Sequence, residues 1–325
     1  MKQLLFFVTA LILAVLPVKA QTSQVATLSH EGTITTFYSA NALKDAYAAA
    51  VDGDVITLSS GNFHAVTIHK NITICGAGMN PDEDPTIITG DIVVTCPNSK
   101  TDCLTLEGIY HNGKCTFSNT SGHKIVKCQF KEFVFGYVKD LTVVNTFFNK
   151  FSTANSGGAS GTFINSVMDN CSLTTSGTYP ITSASFTNCV FRFSSALGGL
   201  IFSRLENCII GGDGSLQTQK FPTNTFATYC YYYGSALDPF GNSPSTTNHR
   251  TGKLEEEIFS DTRLMILKEE LQTTWLGEDG TQVGIYGGFL PFDPTPTNPQ
   301  ITKFNVASKT TADGKLSVDI EVKAN

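Results

Sequence analysis

The sequence predicts an all-β fold, a right-handed parallel β-helix in which short strands stack coil upon coil. Three observations lead to this prediction. A short phrase of the form apolar, polar, Asn, Cys, variable, apolar occurs three times within residues 163–212. Its cysteines, Cys171, Cys189 and Cys208, are almost evenly spaced, and a fixed period of roughly 20 residues is typical of solenoids. Apolar and polar residues alternate around each Asn, which is the periodicity of a strand.

The phrase also predicts which side chains face the core. Asn tolerates the left-handed backbone conformation, so it suits a corner between two strands. Phe186, Cys189 and Phe191 are then expected to point inward, and Thr187 and Val190 outward. Because coils repeat about every 4.8 Å, the pattern predicts a ladder of stacked corner residues. Its members are Asn170, Cys171, Asn188, Cys189, Asn207 and Cys208.

Two looser copies extend the pattern upstream. Residues 143–148 place Thr146 at the Cys position, and residues 126–130 place Lys127 at the Asn position. Charged residues make up 15% of the 325-residue chain, well below the roughly 25% of average proteins. Gly, Ser, Thr and Asn fill the difference, as many corners and short strands require. Another Ser/Thr-rich all-β secreted protein remains the alternative.

Residues 1–20 are predicted to be a secretory signal peptide. Lys2 opens a short charged start, residues 4–16 are apolar, and residues 18–20 form a small-x-small cleavage site. Position 21 is Gln rather than Cys, so a bacterial lipoprotein is not expected, and the apolar run is too short for a membrane span. We therefore expect an extracellular, cell-surface or periplasmic protein.

The formal net charge of −6 makes nucleic acid an unexpected partner. Nine cysteines in a secreted chain suggest disulfides, but cysteines stacked on neighbouring coils lie farther apart than a disulfide prefers. We therefore interpret the ladder cysteines as small buried apolar residues. Cys96 and Cys103 flank a polar loop and are a possible disulfide. The cysteine and histidine spacings fit no zinc site, so no metal site is predicted.

A short amphipathic helix over residues 42–51 follows a first strand at residues 33–38, with Asn41 as its predicted N-cap. Solenoid ends need caps, and this helix is expected to cover the first coil. The segments ALKDA (42–46), DGDVITL (52–58), GNF (61–63) and ITICGAG (72–78) resemble the opening of pectin-lyase-like β-helix proteins. That resemblance supports the fold and brings no catalytic residue with it.

The last third of the chain changes character. Clustered tyrosines either stack on sugar rings from an exposed face or pack where the coil ends; they are Tyr229, Tyr231, Tyr232 and Tyr233. Residues 254–271 are predicted to form short helices that cap the second end. LGEDGTQVGIYGG (276–288), followed by LPF (290–292), resembles the closing signature of secreted β-helix proteins from Gram-negative gut and oral bacteria. The expected domains are the signal peptide at 1–20, a β-helix with both caps at 21–290, and a Pro-rich linker with a β-hairpin at 291–325.

Pectin-lyase-like β-helix proteins, which this chain resembles, include polysaccharide lyases, hydrolases, epimerases and adhesins. The fold alone therefore does not decide activity. A lyase of this kind needs a base, commonly Arg or Lys, near a calcium ion held by carboxylates. Arg192 and Arg204 are the candidates, and a groove holding either of them beside carboxylates would favour a lyase. Inverting hydrolysis is not expected, because Asn145-Thr146 is followed by Phe147 and no Asp-Asp pair occurs.

The sequence therefore predicts a non-catalytic, adhesin-like protein that presents a rigid face to a glycan or a surface protein. A polysaccharide lyase acting on uronic-acid glycans is the alternative. A third possibility is a structural component assembled through its hairpin or an end cap. No cofactor is expected, except calcium if the protein is a lyase. The oligomeric state is left open.

Overall fold

The computed structural model is a parallel β-solenoid of about seven turns. It describes residues 24–96, 103–118, 120–136, 138–153, 159–172, 181–194, 200–201, 203–212, 221, 224–234, 240, 246–297, 300–306, 309–311 and 313–323. The predicted signal peptide and the loop between Cys96 and Cys103 lie outside these residues. The prediction of a parallel β-helix with an N-terminal helix and a C-terminal hairpin is confirmed.

Strands make up 49% of the structure, and the helices, which make up 7%, are short. The helices are α1 (Ala42–Ala49), α2 (Glu255–Ile258) and α3 (Glu269–Gln272). The strands are β1 (Val25–His30), β2 (Thr33–Tyr38), β3 (Val55–Leu58), β4 (Gly61–His64), β5 (Thr73–Gly78), β6 (Thr86–Thr89), β7 (Ile92–Val94), β8 (Thr105–Phe117), β9 (Thr120–Ser121), β10 (Lys124–Val126), β11 (Gln129–Phe135), β12 (Val138–Lys139), β13 (Leu141–Val144), β14 (Phe147–Phe148), β15 (Phe151–Thr153), β16 (Ala159–Ile164), β17 (Val167–Cys171), β18 (Ile181–Thr187), β19 (Val190–Phe193), β20 (Leu200–Ile201), β21 (Arg204–Glu206), β22 (Ile209–Gly212), β23 (Phe226–Thr228), β24 (Tyr231–Tyr232), β25 (His249–Arg250), β26 (Phe259–Asp261), β27 (Ile266–Leu267), β28 (Gln300–Val306) and β29 (Val318–Lys323).

The coils build three parallel ladders. Sheet A contains β3, β5, β8, β10, β13, β16, β18, β21 and β23 in that order. Sheet B contains β4, β6, β8, β11, β14, β17, β19, β22, β24 and β25. Sheet C contains β7, β8, β11 and β15. The long strands β8 and β11 pass through a corner and so belong to more than one sheet.

Stacked aromatic rings fill the interior. Phe163 and Phe186 lie 4.7 Å apart between ring centroids, and Phe130 and Phe148 lie 5.5 Å apart. All four are buried. Because each coil places its inward residue directly above that of the coil before, one apolar residue per strand gives a continuous core.

Helix α1 covers the first coil, as predicted. Leu43, Ala46 and Tyr47 are buried in the solenoid core. Asn41 precedes the helix, but its side chain makes no cap hydrogen bond. The C-terminal end is held by Lys70, whose Nζ donates to the carbonyls of Tyr47 at 2.6 Å and Ala50 at 2.7 Å. A cation at a helix C-terminus is stabilising.

The corner between sheets A and B has left-handed backbone in six successive coils, as the sequence predicts for Asn. The corner residues are Lys127, Asn145, Asn165, Asn188, Asn207 and Tyr229, with φ between 46° and 54°. The next residue in each coil points inward: Cys128, Thr146, Ser166, Cys189, Cys208 and Cys230.

The predicted ladder was wrong for one of its three coils, in which Asn170 and Cys171 are not the corner residues. The strand register pairs Ile164 with Thr187, which places Asn165 and Ser166 beside Asn188 and Cys189. Asn170 lies exposed in β17, and Cys171 pairs with Phe193 at the end of β17 that is distant from this corner. The coil from Asn165 to Asn188 is longer than the coils on either side of it, so the spacing from Cys171 to Cys189 did not report the repeat.

Cys, Thr and Ser exchange at the inward corner position because all three make the same hydrogen bond. Cys189 Sγ donates to Thr187 O at 3.4 Å, Ser166 Oγ to Ile164 O at 2.8 Å, and Thr146 Oγ1 to Val144 O at 3.0 Å. Each small donor satisfies the carbonyl two residues before it. The position therefore needs a small side chain with one donor, whether thiol or hydroxyl.

All nine cysteines are free thiols. Cys96 is buried and its Sγ donates to Lys70 O at 3.1 Å. Burial, followed by the nearby charge of Asp52, raises its thiol pKa to about 12. Cys103 is half-buried beside Thr105. The two residues are therefore not bonded to each other in this structure.

A C-terminal strap, defined as residues 275–297, runs along the corner ladder toward the N-terminal end. Asn207 Oδ1 accepts from Glu278 N at 3.0 Å, and Asn165 Nδ2 donates to Ile285 O at 2.7 Å and Gly287 O at 2.8 Å. Lys127 Nζ donates to Thr295 O at 2.7 Å. The corner side chains therefore hold the strap rather than stacking only on one another.

The glycines of the strap allow this close approach. A Cβ on Gly277 would lie 2.5 Å from Asn207 Cγ. Gly288 has φ +75°, and a Cβ there would lie 2.7 Å from Asn188 Oδ1. The glycine-rich stretch 276–288 thus lets the backbone of the strap lie directly against the corner asparagines.

The segment before the strap, which contains residues 254–271, lies on the outer face of sheet B. This placement differs from the prediction that the segment caps the open end of the coil. One outward column of sheet B is apolar: Phe147, Val167, Val190, Ile209 and Tyr231. Ile258, Phe259, Leu271 and Trp275 form a second core with it. Val190 points outward as predicted, yet it is buried because this segment covers it.

The C-terminal hairpin pairs β28 with β29 antiparallel, and Gly314 adopts φ +78° in its connection. Val318 in β29 is 48% exposed. Within the described residues, no helix has the length and apolar character needed to cross a membrane.

The asparagine–strap contact predicts a stability difference between two asparagines. Asn165→Gly keeps the left-handed backbone but leaves the carbonyls of Ile285 and Gly287 without their donor, so we expect it to lower the free energy of unfolding by about 1–3 kcal/mol. Asn170→Gly is the control, because Asn170 has φ 42° but is exposed, and should change it by less than about 0.5 kcal/mol. Denaturant unfolding measures both, and equal losses would contradict the role of Asn165.

His123 predicts an acid transition. Its Nδ1 accepts from Leu104 N at 3.0 Å, its Nε2 is bonded to Thr120 Oγ1, and burial lowers its pKa from 6.5 to about 4. The unfolded chain binds a proton below pH 6.5 that the folded chain takes up only near pH 4. The contribution of neutral His123 to the free energy of unfolding should therefore be fully present above pH 6.5. It should be lost, by up to about 3 kcal/mol, as the pH falls from 6.5 to and through 4.

The check is the unfolding free energy of the wild type and of His123→Gln at several pH values. The variant should lose most of the slope between pH 4 and 6.5. A smaller part should remain, because burial also lowers the pKa of His111. Parallel profiles for both proteins would rule out His123 as the titrating group.

Candidate functional site

A cavity of about 600 Å³ opens on the outer face of sheet B, toward the N-terminal side of its covered apolar column. This volume is within the usual range of ligand-binding pockets. Strands of sheet B form its floor, and three separate segments form its walls. The residues lining it are Met79, Asn80, Pro81, Asp82, Glu83, Gln129, Phe147, Asn149, Asp169, Arg192, Arg263, Leu264, Phe292 and Pro294.

The floor combines amides with an aromatic ring. Gln129 and Phe147 are paired neighbours in the outward column, and Asn149 follows two residues after Phe147. Gln129 Nε2 donates to Asn149 Oδ1 at 3.0 Å. This orients the two amides side by side. All three side chains are half-buried.

The walls come from parts of the chain that are distant in sequence. Residues 79–83, in the connection between β5 and β6, form one wall. The strap supplies Phe292 and Pro294, and the turn after β26 supplies Arg263 and Leu264. Arg263 Nη1 is 2.8 Å from Asp82 Oδ2, which joins two walls at the rim.

Arg192 lies at the base of the cavity in an ion-pair network. Its Nε and Nη2 donate to Asp169 Oδ1 at 2.8 Å and Oδ2 at 2.6 Å, a bidentate pair. Its Nη1 donates to Glu255 Oε1 at 2.7 Å. Burial alone would lower the pKa of Arg192, but the two carboxylates outweigh it and raise the pKa above the ordinary value.

This arrangement bears directly on the predicted catalytic role. The structure does place Arg192 in a groove beside carboxylates, the arrangement that was expected to favour a lyase. A proton-abstracting base must be neutral, however, and the carboxylates stabilise the charged form of Arg192 instead. The geometry suits a structural clamp between sheet B and α2.

Arg204 lies on a different face. It is in β21 of sheet A, between Ser185 and Phe226 in the register, and its side chain is exposed. Sheets A and B meet at a corner, so Arg192 and Arg204 do not form one site. Residues half a coil apart in a solenoid face different directions.

The tyrosine cluster does not form an exposed stacking surface. Tyr231 is stacked between His249 and Trp275, with ring centroids 4.7 Å and 4.6 Å away. Tyr232 points into the solenoid core and is 2% exposed. Tyr233 packs on Phe259 and is also 2% exposed.

Packing, the other interpretation of the cluster, therefore describes three of the four tyrosines. Tyr229 is the corner residue of its coil and is half-buried. The outward tyrosines are buried because the segment around α2 and Trp275 covers the apolar column to which they belong. The sequence pattern could not show that cover.

The residues that sequence reasoning missed are Gln129, Phe147, Asn149 and the wall residues of the strap. Phe147 and Asn149 follow the corner residue Asn145 at positions that face outward, which was the available signal. Among the residues that the structure describes, no group of three His, Cys, Asp or Glu side chains is placed to hold a metal ion.

Comparison of the chain with protein-family models, with curated proteins and with solved structures finds no match in any of the three.

The ion-pair network predicts that alanine substitution lowers the free energy of unfolding at Arg192 but not at Arg204. Arg192→Ala leaves Asp169 and Glu255 half-buried without their cation, and we expect a loss of about 2 kcal/mol in the free energy of unfolding, between the values for surface and buried pairs. Arg204→Ala should change it by less than about 0.5 kcal/mol. Urea unfolding of both variants tests this, and a neutral Arg192→Ala would show that the clamp is dispensable.

Proposed function

We propose that this protein is a secreted, non-catalytic glycan-binding protein and that the cavity on sheet B is its binding site. The observation that carries the proposal is the oriented amide pair Gln129–Asn149 beside the ring of Phe147 on a rigid sheet. Amides donate and accept hydrogen bonds with hydroxyls, and an aromatic face covers the apolar face of a sugar ring. Strands hold these groups in fixed register, which favours recognition of an extended chain.

The cellular context is part of the same proposal. The signal-like residues 1–20 and the opening and closing motifs support a pectin-lyase-like β-helix from a Gram-negative gut or oral bacterium. Such a protein would act outside the inner membrane, at the cell surface, in the periplasm or released. The adhesin-like role is consistent with a rigid solenoid that presents one binding face.

The alternative is a polysaccharide lyase on uronic-acid glycans, with calcium as cofactor. The presence of Arg192 in the cavity favours it, but the bidentate pair with Asp169 and the contact with Glu255 keep that arginine charged. Binding without turnover therefore fits the geometry better.

Affinity electrophoresis and calorimetry with a panel of neutral and acidic polysaccharides test the proposal. Phe147→Ala and Asn149→Ala should each weaken binding about fivefold or more, because each removes a contact worth about 1 kcal/mol or more. Phe226→Ala is the matched control, since Phe226 is a 59% exposed ring on sheet A. Equal losses in all three variants, or none, would contradict this binding site.

The same purified proteins answer the enzymatic question. Incubation with polyuronides, with and without calcium, should give no ultraviolet absorbance from unsaturated products. Products that form with the wild type and disappear in Arg192→Lys, but not in Arg204→Lys, would establish the lyase instead.

A further inference from the structure

The charges around the cavity are unbalanced, and this limits the glycan it can hold. The charged side chains that line it are Asp82, Glu83, Asp169, Arg192 and Arg263. Glu255 adds a fourth carboxylate through its bond to Arg192. Four carboxylates against two guanidinium groups give a local charge of −2.

Both arginines are already paired with protein carboxylates. A carboxylate is bound best by two parallel N–H groups of one guanidinium. In Arg192 the Nε and Nη2 edge already holds Asp169 in that way, and Nη1 faces Glu255. Arg263 Nη1 is paired with Asp82 at the rim. A ligand carboxylate would have to displace Asp169 to use the bidentate edge of Arg192.

What remains in the cavity suits an uncharged sugar. Gln129 and Asn149 present amide groups on the floor, and Phe147 and Phe292 present rings from two sides. Glu83 at the wall can accept a hydrogen bond from a hydroxyl, as any carboxylate can. None of these contacts needs a charge on the ligand.

We infer that the cavity binds a neutral, hydroxyl-rich glycan and rejects polyuronides, with Glu83 as a determinant of that selectivity. This inference rests on the proposed function and specifies its ligand class. A uronate carboxylate near Glu83 would meet a like charge, which costs about 1.4 kcal/mol at contact distance and so weakens binding about tenfold.

The test compares galactomannan and xyloglucan, which are neutral, with polygalacturonate and alginate. Wild-type protein should bind a neutral polymer with an affinity that changes less than about twofold between about 50 and about 500 mM salt. Polyuronides should bind at least about tenfold more weakly. Glu83→Gln should strengthen polyuronide binding about three- to tenfold at low salt and leave neutral binding unchanged.

Asp45→Asn is the matched control, because it removes one negative charge from the exposed side of α1, on the N-terminal cap. It should leave both classes of ligand unaffected. Polyuronide binding that exceeds neutral binding, or an Asp45→Asn effect equal to that of Glu83→Gln, overturns the inference and leaves glycan binding standing. Absence of binding to all four polymers overturns the inference and the proposed function together.

Discussion

The structure depends on one repeated backbone feature, the left-handed corner between sheets A and B. At each corner the chain turns with a positive φ, and the residue that adopts this conformation is Asn in four coils. Asn tolerates the conformation because its short polar side chain costs little there. The same side chain then points outward and is free to bond to another segment, which an equally tolerant Gly could not do.

That second role explains the C-terminal strap. Asn165 and Asn207 hold its backbone, and its glycines permit contact at a distance that a Cβ would prevent. The strap in turn places Phe292 and Pro294 beside strands β11 and β14, where they become a wall of the cavity. A local backbone requirement thus leads, through one set of hydrogen bonds, to the shape of the candidate site.

Electrostatics separates the two interpretations of that site. An arginine beside carboxylates is the constellation expected of a lyase, but what matters is how the contacts are arranged. Bidentate pairing with Asp169 and a further bond to Glu255 stabilise the charged state of Arg192, so its protonation opposes a role as base. The surplus of carboxylates also disfavours an acidic substrate. Both arguments support the proposed binding of an uncharged glycan over the lyase alternative.

The sequence by itself determined the solenoid, the preference for Asn at its corners, the cap helix α1 and the hairpin, because each follows from local periodicity or backbone preference. It placed Asn188 and Asn207 correctly but misassigned Asn170, since one longer coil breaks the apparent period and only strand register reveals Asn165 as its corner. Tertiary structure alone decided that Tyr231 and Tyr233 are covered. It also decided that Arg192 is clamped and Arg204 lies on another face. Those outcomes depend on which distant segment packs on which sheet, and alternation along a strand gives only inside and outside, not what lies against the outside.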